Sequence, residues 1–136
     1  MSSLRASGTV LLLLAALWGA GCSLFSTHTP AVTGTVVYLS NRQLPADATV
    51  VIELCELNRD GVRVRVVASE TLPRPRRVPD AFSLPYRRKS IASAGYYGLE
   101  ARILSGGKPV MATPWPVRVL TRGFTDSAEV VLEEVK

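Results

Sequence analysis

The stretch VRVRVVASETL, from Val62 to Leu72, carries the cleanest alternation in the chain. Val62, Val64 and Val66 fall on one side of an extended backbone, and Arg63 and Arg65 fall on the other, because successive strand side chains point to opposite faces. The reading is a half-buried strand with the valines toward a core and the arginines toward water. Just upstream, Asn58-Arg59-Asp60-Gly61 is a tight-turn signal, since Asp-Gly tolerates the positive φ that short hairpins need. Before that turn, TVVIELCEL (Thr49 to Leu57) reads as the partner strand, with Val50, Ile52 and Leu54 sharing one face. A hairpin of this kind sets the fold class as all-β.

The same signature recurs along the chain. VTGTVVYL (Val32 to Leu39) is rich in β-branched residues, and FSLPY (Phe82 to Tyr86) is a short strand ended by proline. YYGLEARIL (Tyr96 to Leu104) places Tyr97, Leu99, Ala101 and Ile103 on one face, so Tyr96 and Tyr97 divide into one outward and one inward ring. Ser105-Gly-Gly-Lys108 turns the chain into PVMAT, and VRVLT follows Pro114-Trp115-Pro116. A last strand over Asp126 to Val135 alternates Ala128, Val130 and Leu132 against Glu129, Val131 and Glu133. Nine prolines and ten glycines punctuate these runs. Arg87 to Gly95 reads as a loop with room for one helical turn. About seven short strands at this spacing predict a single antiparallel β-sandwich.

The N-terminus has a different character. A polar start with one positive charge, Arg5, leads into the apolar run Val10 to Trp18, and the small residues Gly19, Ala20 and Gly21 precede Cys22. This order is that of a secretory signal peptide. A membrane-spanning helix is the other reading, but Gly8 to Gly21 falls well short of the roughly 20 residues needed to cross a bilayer. A cysteine directly after the small residues makes the signal lipobox-like, with Cys22 as the lipidated residue, although Gly19 stands where leucine is common. Ser23 rather than aspartate follows, the pattern of lipoproteins sorted to the outer membrane. The expected organisation is therefore a lipoprotein signal peptide over residues 1–21, a lipidated tether over 22–30 and a β-sandwich over 31–136.

Chemistry-bearing residues are sparse. The chain has one histidine, His28, and it lies in the tether, so the domain lacks the histidine of a Ser-His-Asp triad and has too few ligands for zinc. Cys55 has no neighbouring cysteine and reads as a small buried apolar residue. Ser105 to Lys108 is too short to cradle a phosphate. No enzyme, metal or cofactor is expected.

The net charge of +5 suits an anionic lipid surface or an acidic partner, while export argues against nucleic acid. The candidate partner-binding residues are the basic cluster Arg74, Arg76, Arg77, Arg87, Arg88 and Lys89, together with Trp115. For the cluster, the other reading is a solvated surface that keeps the domain soluble. For Trp115, it is a plug at the edge of the core.

In order, VTGTV (Val32 to Val36), LPADATVVIEL (Leu44 to Leu54), FSLPY, YGLEARI, SGGKPVMAT, PVRVLTRG and VVLEEV resemble the YbaY/YscW family of small outer-membrane lipoproteins. Arg87-Arg88 replaces the Asp-Pro that many relatives carry after their LPY element. The resemblance implies an Ig-like or transthyretin-like sandwich without catalysis, lipid-anchored in the outer membrane and facing the periplasm. It also implies a binding role: some members are pilotins, which carry a secretin subunit to the outer membrane. The alternative is a general envelope lipoprotein with a structural or stress-related role and no secretin client.

Overall fold

A computed structural model describes residues 28–40, 42–74 and 78–136. Residues 1–21, expected as a signal peptide, and Cys22, Arg76 and Arg77 lie outside the described residues. Eight strands are present: β1 (Ala31–Tyr38), β2 (Thr49–Leu57), β3 (Arg63–Leu72), β4 (Asp80–Pro85), β5 (Tyr96–Ser105), β6 (Lys108–Ala112), β7 (Val117–Val119) and β8 (Ser127–Glu134). A single 3-10 turn, Arg88–Ser90, is the one helical turn of the Arg87–Gly95 loop.

The strands form one sheet in the order β3-β2-β5-β6-β8-β1-β4, and β7 pairs with β5 beyond the end of β6. The expected sandwich of about seven antiparallel strands is therefore corrected in two respects. The sheet curls into a nearly closed, barrel-like form rather than two clearly separate layers, because a two-residue pairing of β6 with β8 links its halves. In addition, β1 and β8 run parallel. Gly34 makes this pairing possible: a Cβ there would stand 1.8 Å from the Ala128 carbonyl oxygen, so only glycine lets the two backbones approach.

The core lies inside the curl. Val50, Ile52 and Leu54 of β2, Tyr97, Leu99, Ala101 and Ile103 of β5, and Val130 and Leu132 of β8 are all buried there, as their alternation predicts. Val32 and Val36 of β1 and Phe82 and Leu84 of β4 close the opposite wall.

The opening stretch of the sequence behaves differently. Val62, Val64 and Val66 are exposed, and it is Ala68 and Leu72, further along β3, that pack against the core. Two register shifts against β2 explain the reversal. Leu54 pairs with Ala68 but Cys55 with Val66, and Glu56 pairs with Arg65 but Leu57 with Arg63. Each shift leaves one β3 residue unpaired and resets which face its neighbours occupy. Strict alternation in the sequence is therefore not strict alternation in the strand.

Candidate functional site

Central strand β2 is buried on both faces, and its outward side carries a charged network. Glu53 lies across β2 and β5 from Glu100, its Cα partner, and is bracketed by two arginines. Arg102 donates to both of its carboxylate oxygens at 2.9 and 3.1 Å, and Arg63 donates to Glu53 at 3.0 Å and to Glu100 at 3.2 Å. The Arg102 hydrogen bond, aided by the charges of Arg102 and Arg63 and opposed by burial, holds the Glu53 carboxyl below its ordinary value.

Cys55 lies in the same network, fully buried, its thiol donating to Glu100 at 3.8 Å. Burial first, then the charges of Glu100 and Glu53, push that thiol up to about 11, so it is protonated and unreactive at neutral pH. Glu53, Cys55 and Glu100 bring ligand atoms within 4.8 Å of one another. However, both carboxylates are engaged by guanidinium groups, and the cluster balances its own charge. It works as a cross-strand clasp rather than a metal site.

Two openings interrupt the barrel. The first lies between β3 and β4, the terminal strands of the sheet, which share no strand pairing. Val67, Ala68 and Ser69 line it from β3, Pro85 and Arg87 from the end of β4, and Thr29 from the chain leading into β1. This free edge also presents Val64 and Val66 of β3, and Val62 just before it, with relative exposures of 62%, 42% and 60%. An unpaired strand edge with exposed apolar side chains is a template for another strand.

The second opening lies between β7 and β8. Trp115, Val117 and Arg118 face Phe124, Ser127 and Ala128 across it. Its architecture follows from close packing at Gly98, where a Cβ would stand 2.8 Å from Pro116 and 2.9 Å from Leu57. Pro116 therefore lies directly on the β5 backbone, and Trp115 before it projects outward at 71% exposure. The core-plug reading of Trp115 is thereby overturned.

Leu120 and Arg122 adopt positive φ (72° and 59°), ending β7 after three residues. The bend is held by Leu120 N–H donating to Thr125 O, Thr121 Oγ1 to Gly95 O and Arg122 Nη2 to Ala94 O. Non-glycine residues persist in that conformation only where such contacts impose it. The loop so shaped sets Arg122 over the Tyr96 ring at 4.3 Å, and Arg118 between Tyr96 and Phe124 at 4.9 and 5.4 Å. Each such cation–π contact contributes roughly 0.5–1 kcal/mol at an exposed site.

The basic cluster expected from the sequence is divided by the fold. Arg74 follows the end of β3 and borders a groove with Tyr38 and Asp47, whereas Arg87 follows the end of β4 beside Thr29. Because β3 and β4 run in opposite directions through the chain of pairings, these strand ends lie at opposite ends of the barrel. Arg88 and Lys89 sit with Arg87 in the exposed 3-10 turn. Tyr97, rooted in the core, anchors this turn by accepting from Ala92 N–H at 2.9 Å and donating to Ser90 O at 3.4 Å.

Sequence reasoning missed Phe124, Arg118 and Arg122. Their only signal was Arg122-Gly123, which reads as a turn and says nothing of the aromatic ring it brings near. The Glu53 clasp was equally hidden, since its partners are far apart in the chain.

The family described as "Type III secretion system lipoprotein chaperone (YscW)" matches residues 27–132. The solved structure of an alternative pilotin from the type II secretion system of Vibrio cholerae is similar in fold, with a TM-score of 0.71 and 26% identity. The similarity covers 79% of this chain and 98% of that one. No curated protein sequence matches the chain.

Proposed function

The chain belongs to the type III secretion system lipoprotein chaperone (YscW) family, and from that premise we propose that it is a pilotin-like chaperone, anchored by lipid on Cys22 in the outer membrane and facing the periplasm. It holds a secretin subunit or a comparable envelope protein through non-covalent contacts and performs no catalysis. The observation that carries this reading is the family match over nearly the whole described domain, joined by the similarity in fold to a pilotin.

The mechanism follows from the open barrel. A client segment in extended conformation adds to the free edge of β3, its backbone pairing with the unused N–H and C=O groups and its side chains meeting Val62, Val64 and Val66. Main-chain pairing supplies affinity at small cost to sequence generality. Trp115, rigidly presented beside Pro116, is an aromatic anchor for a second part of the client. The acyl chains on Cys22 then keep the complex at the membrane, each buried methylene contributing about 0.8 kcal/mol.

Deleting the gene and following secretin multimers in outer-membrane fractions tests the role directly. Multimer levels are expected to fall, and to recover with the wild-type gene but not with Cys22→Ser. Unchanged multimers in the deletion strain leave the chain a general envelope lipoprotein. Labelling with palmitate tests the anchor independently: label is expected on wild type and absent from Cys22→Ser.

A further inference from the structure

Among the described residues, the two ends of the barrel differ in charge. The start of β1, the end of β4, the start of β5, the start of β8 and the β2–β3 turn share one end, as the pairings Ala31–Pro85, Thr33–Ser127 and Leu57–Tyr96 require once the antiparallel pairings of β6 with β5 and with β8 set β5 and β8 parallel. The chain enters the domain here: Tyr86 N–H donates to Pro30 O at 3.0 Å, and Thr29 borders Arg87.

Around this entrance stand Arg59, Arg87, Arg88, Lys89 and Arg122, all exposed, against only Asp60 and Asp126 among the described residues. Among the described residues none of the five makes a carboxylate ion pair; the pairs seen join Arg63, Arg65 and Arg102 to glutamates. Phe124, with 47% of its surface exposed, stands in the same loop as Arg122.

At the opposite end, the described cations Arg42, Arg74, Lys108 and Lys136 are matched in number by Asp47, Asp80, Glu133 and Glu134. The sequence between Arg74 and Asp80 adds Arg76 and Arg77, which lie outside the described residues. Positive charge without carboxylate partners among the described residues, at the end where the chain enters the domain and with an exposed aromatic ring among it, is the arrangement that an anionic lipid surface complements.

We propose that the tether-side end of the barrel is a headgroup-docking face that seats the domain against anionic phospholipid. The inference takes its orientation from the lipid-anchor reading above, but its chemistry does not need the anchor. Docked in this way, β3 and Trp115 stand along the side of the barrel, open to a client, and Phe124 marks where the Trp115 groove meets the docking face. The acyl chains hold the protein at the membrane, and the basic end sets its orientation.

The test uses the mature chain, residues 22–136, carrying Cys22→Ser so that neither the apolar N-terminal run nor the lipid is present, in co-sedimentation with vesicles of phosphatidylcholine alone or mixed with phosphatidylglycerol. Preference for the mixed vesicles is expected, falling with added salt. Each cation near an anionic surface contributes about fivefold to partitioning, so Arg87→Gln/Arg88→Gln/Lys89→Gln is expected to lower binding to the mixed vesicles by at least tenfold.

The charge-matched control at the far end, Arg42→Gln/Lys108→Gln/Lys136→Gln, is expected to stay within about twofold of its parent. All six positions are exposed, and matching circular dichroism melts confirm that both variants are folded. Equal losses in the two triple variants, or no preference for phosphatidylglycerol, overturn the proposal in favour of a general charge effect or an acidic protein partner. Palmitate labelling of wild type reports separately on the anchor, so failure of one reading is not mistaken for failure of the other.

Discussion

Neighbouring strands β2 and β3 are bonded along most of their length, yet they do opposite work. Every β2 residue from Val50 to Cys55 is buried, on both faces, whereas Arg63 to Val66 of β3 are all exposed. Both runs are rich in valine. The difference is position in the sheet: β2 has β3 and β5 beside it and the core beneath, whereas β3, among the described residues, has a strand on one side only. A central strand is paid for by packing and carries stability; an edge strand keeps free backbone groups and carries recognition.

The sharpest test of this division is truncation in each strand. Leu54→Ala in β2 is expected to cost about 2–5 kcal/mol, since it leaves a cavity in a fully buried site. It should register as a lower midpoint in urea or thermal unfolding. Val64→Ala in β3 is expected to change the same midpoint by under about 0.5 kcal/mol. A comparable loss from both sets aside the division of labour.

The next largest effect belongs to the clasp that ties β3 to β2 and β5. Glu53→Ala strands two guanidinium groups over a nearly buried site and is expected to cost about 2 kcal/mol. Glu56→Ala removes a pair whose partners are much more exposed and is expected to cost under about 1 kcal/mol.

The clasp also gives an acid dependence. Its Arg102 hydrogen bond lowers the folded-state pKa of Glu53 below the ordinary 4.5, so the unfolded chain takes up the proton first. The stabilisation is complete above that ordinary value and drains away as pH falls through the lower folded value. Unfolding free energy measured from pH 7 downward is expected to decline below about 4.5, and Glu53→Gln is expected to flatten the decline. An identical slope in the two proteins removes Glu53 as its source.

The smallest effect on stability is expected to be the most telling for function. Val62→Thr/Val64→Thr leaves the β3 backbone intact and is expected to keep the unfolding midpoint within about 0.5 kcal/mol of wild type. If β3 is the recognition edge, the same variant captures less envelope client in pull-downs from membrane extracts. Undiminished capture moves recognition away from β3 and toward the Trp115 groove.

Much of this was legible from the residues. The inward faces of β2, β5 and β8 follow from simple alternation, and the prolines, Asp60-Gly61 and Ser105-Gly-Gly-Lys108 mark the turns. The stretch Val62 to Val66 was legible as a strand but not as to its outward side. Period two says that two faces differ; it does not say which one a neighbour will cover, and two register shifts against β2 reset the pattern along its length. The candidate site was less legible still. Trp115 and Arg87 to Lys89 stood out by residue type, but the ring–guanidinium loop and the Glu53 clasp join residues distant in the chain.

The sequence by itself determined the all-β class, the family and the main core faces, because each is written in local order: alternation, turn residues and the collinear run of family-like segments. The tertiary structure alone decided which strands became free edges, which way the valines of β3 faced, and how the arginines divided between the two ends. Those outcomes depend on strand order and register. They are fixed by contacts across dozens of residues, and no local pattern encodes them.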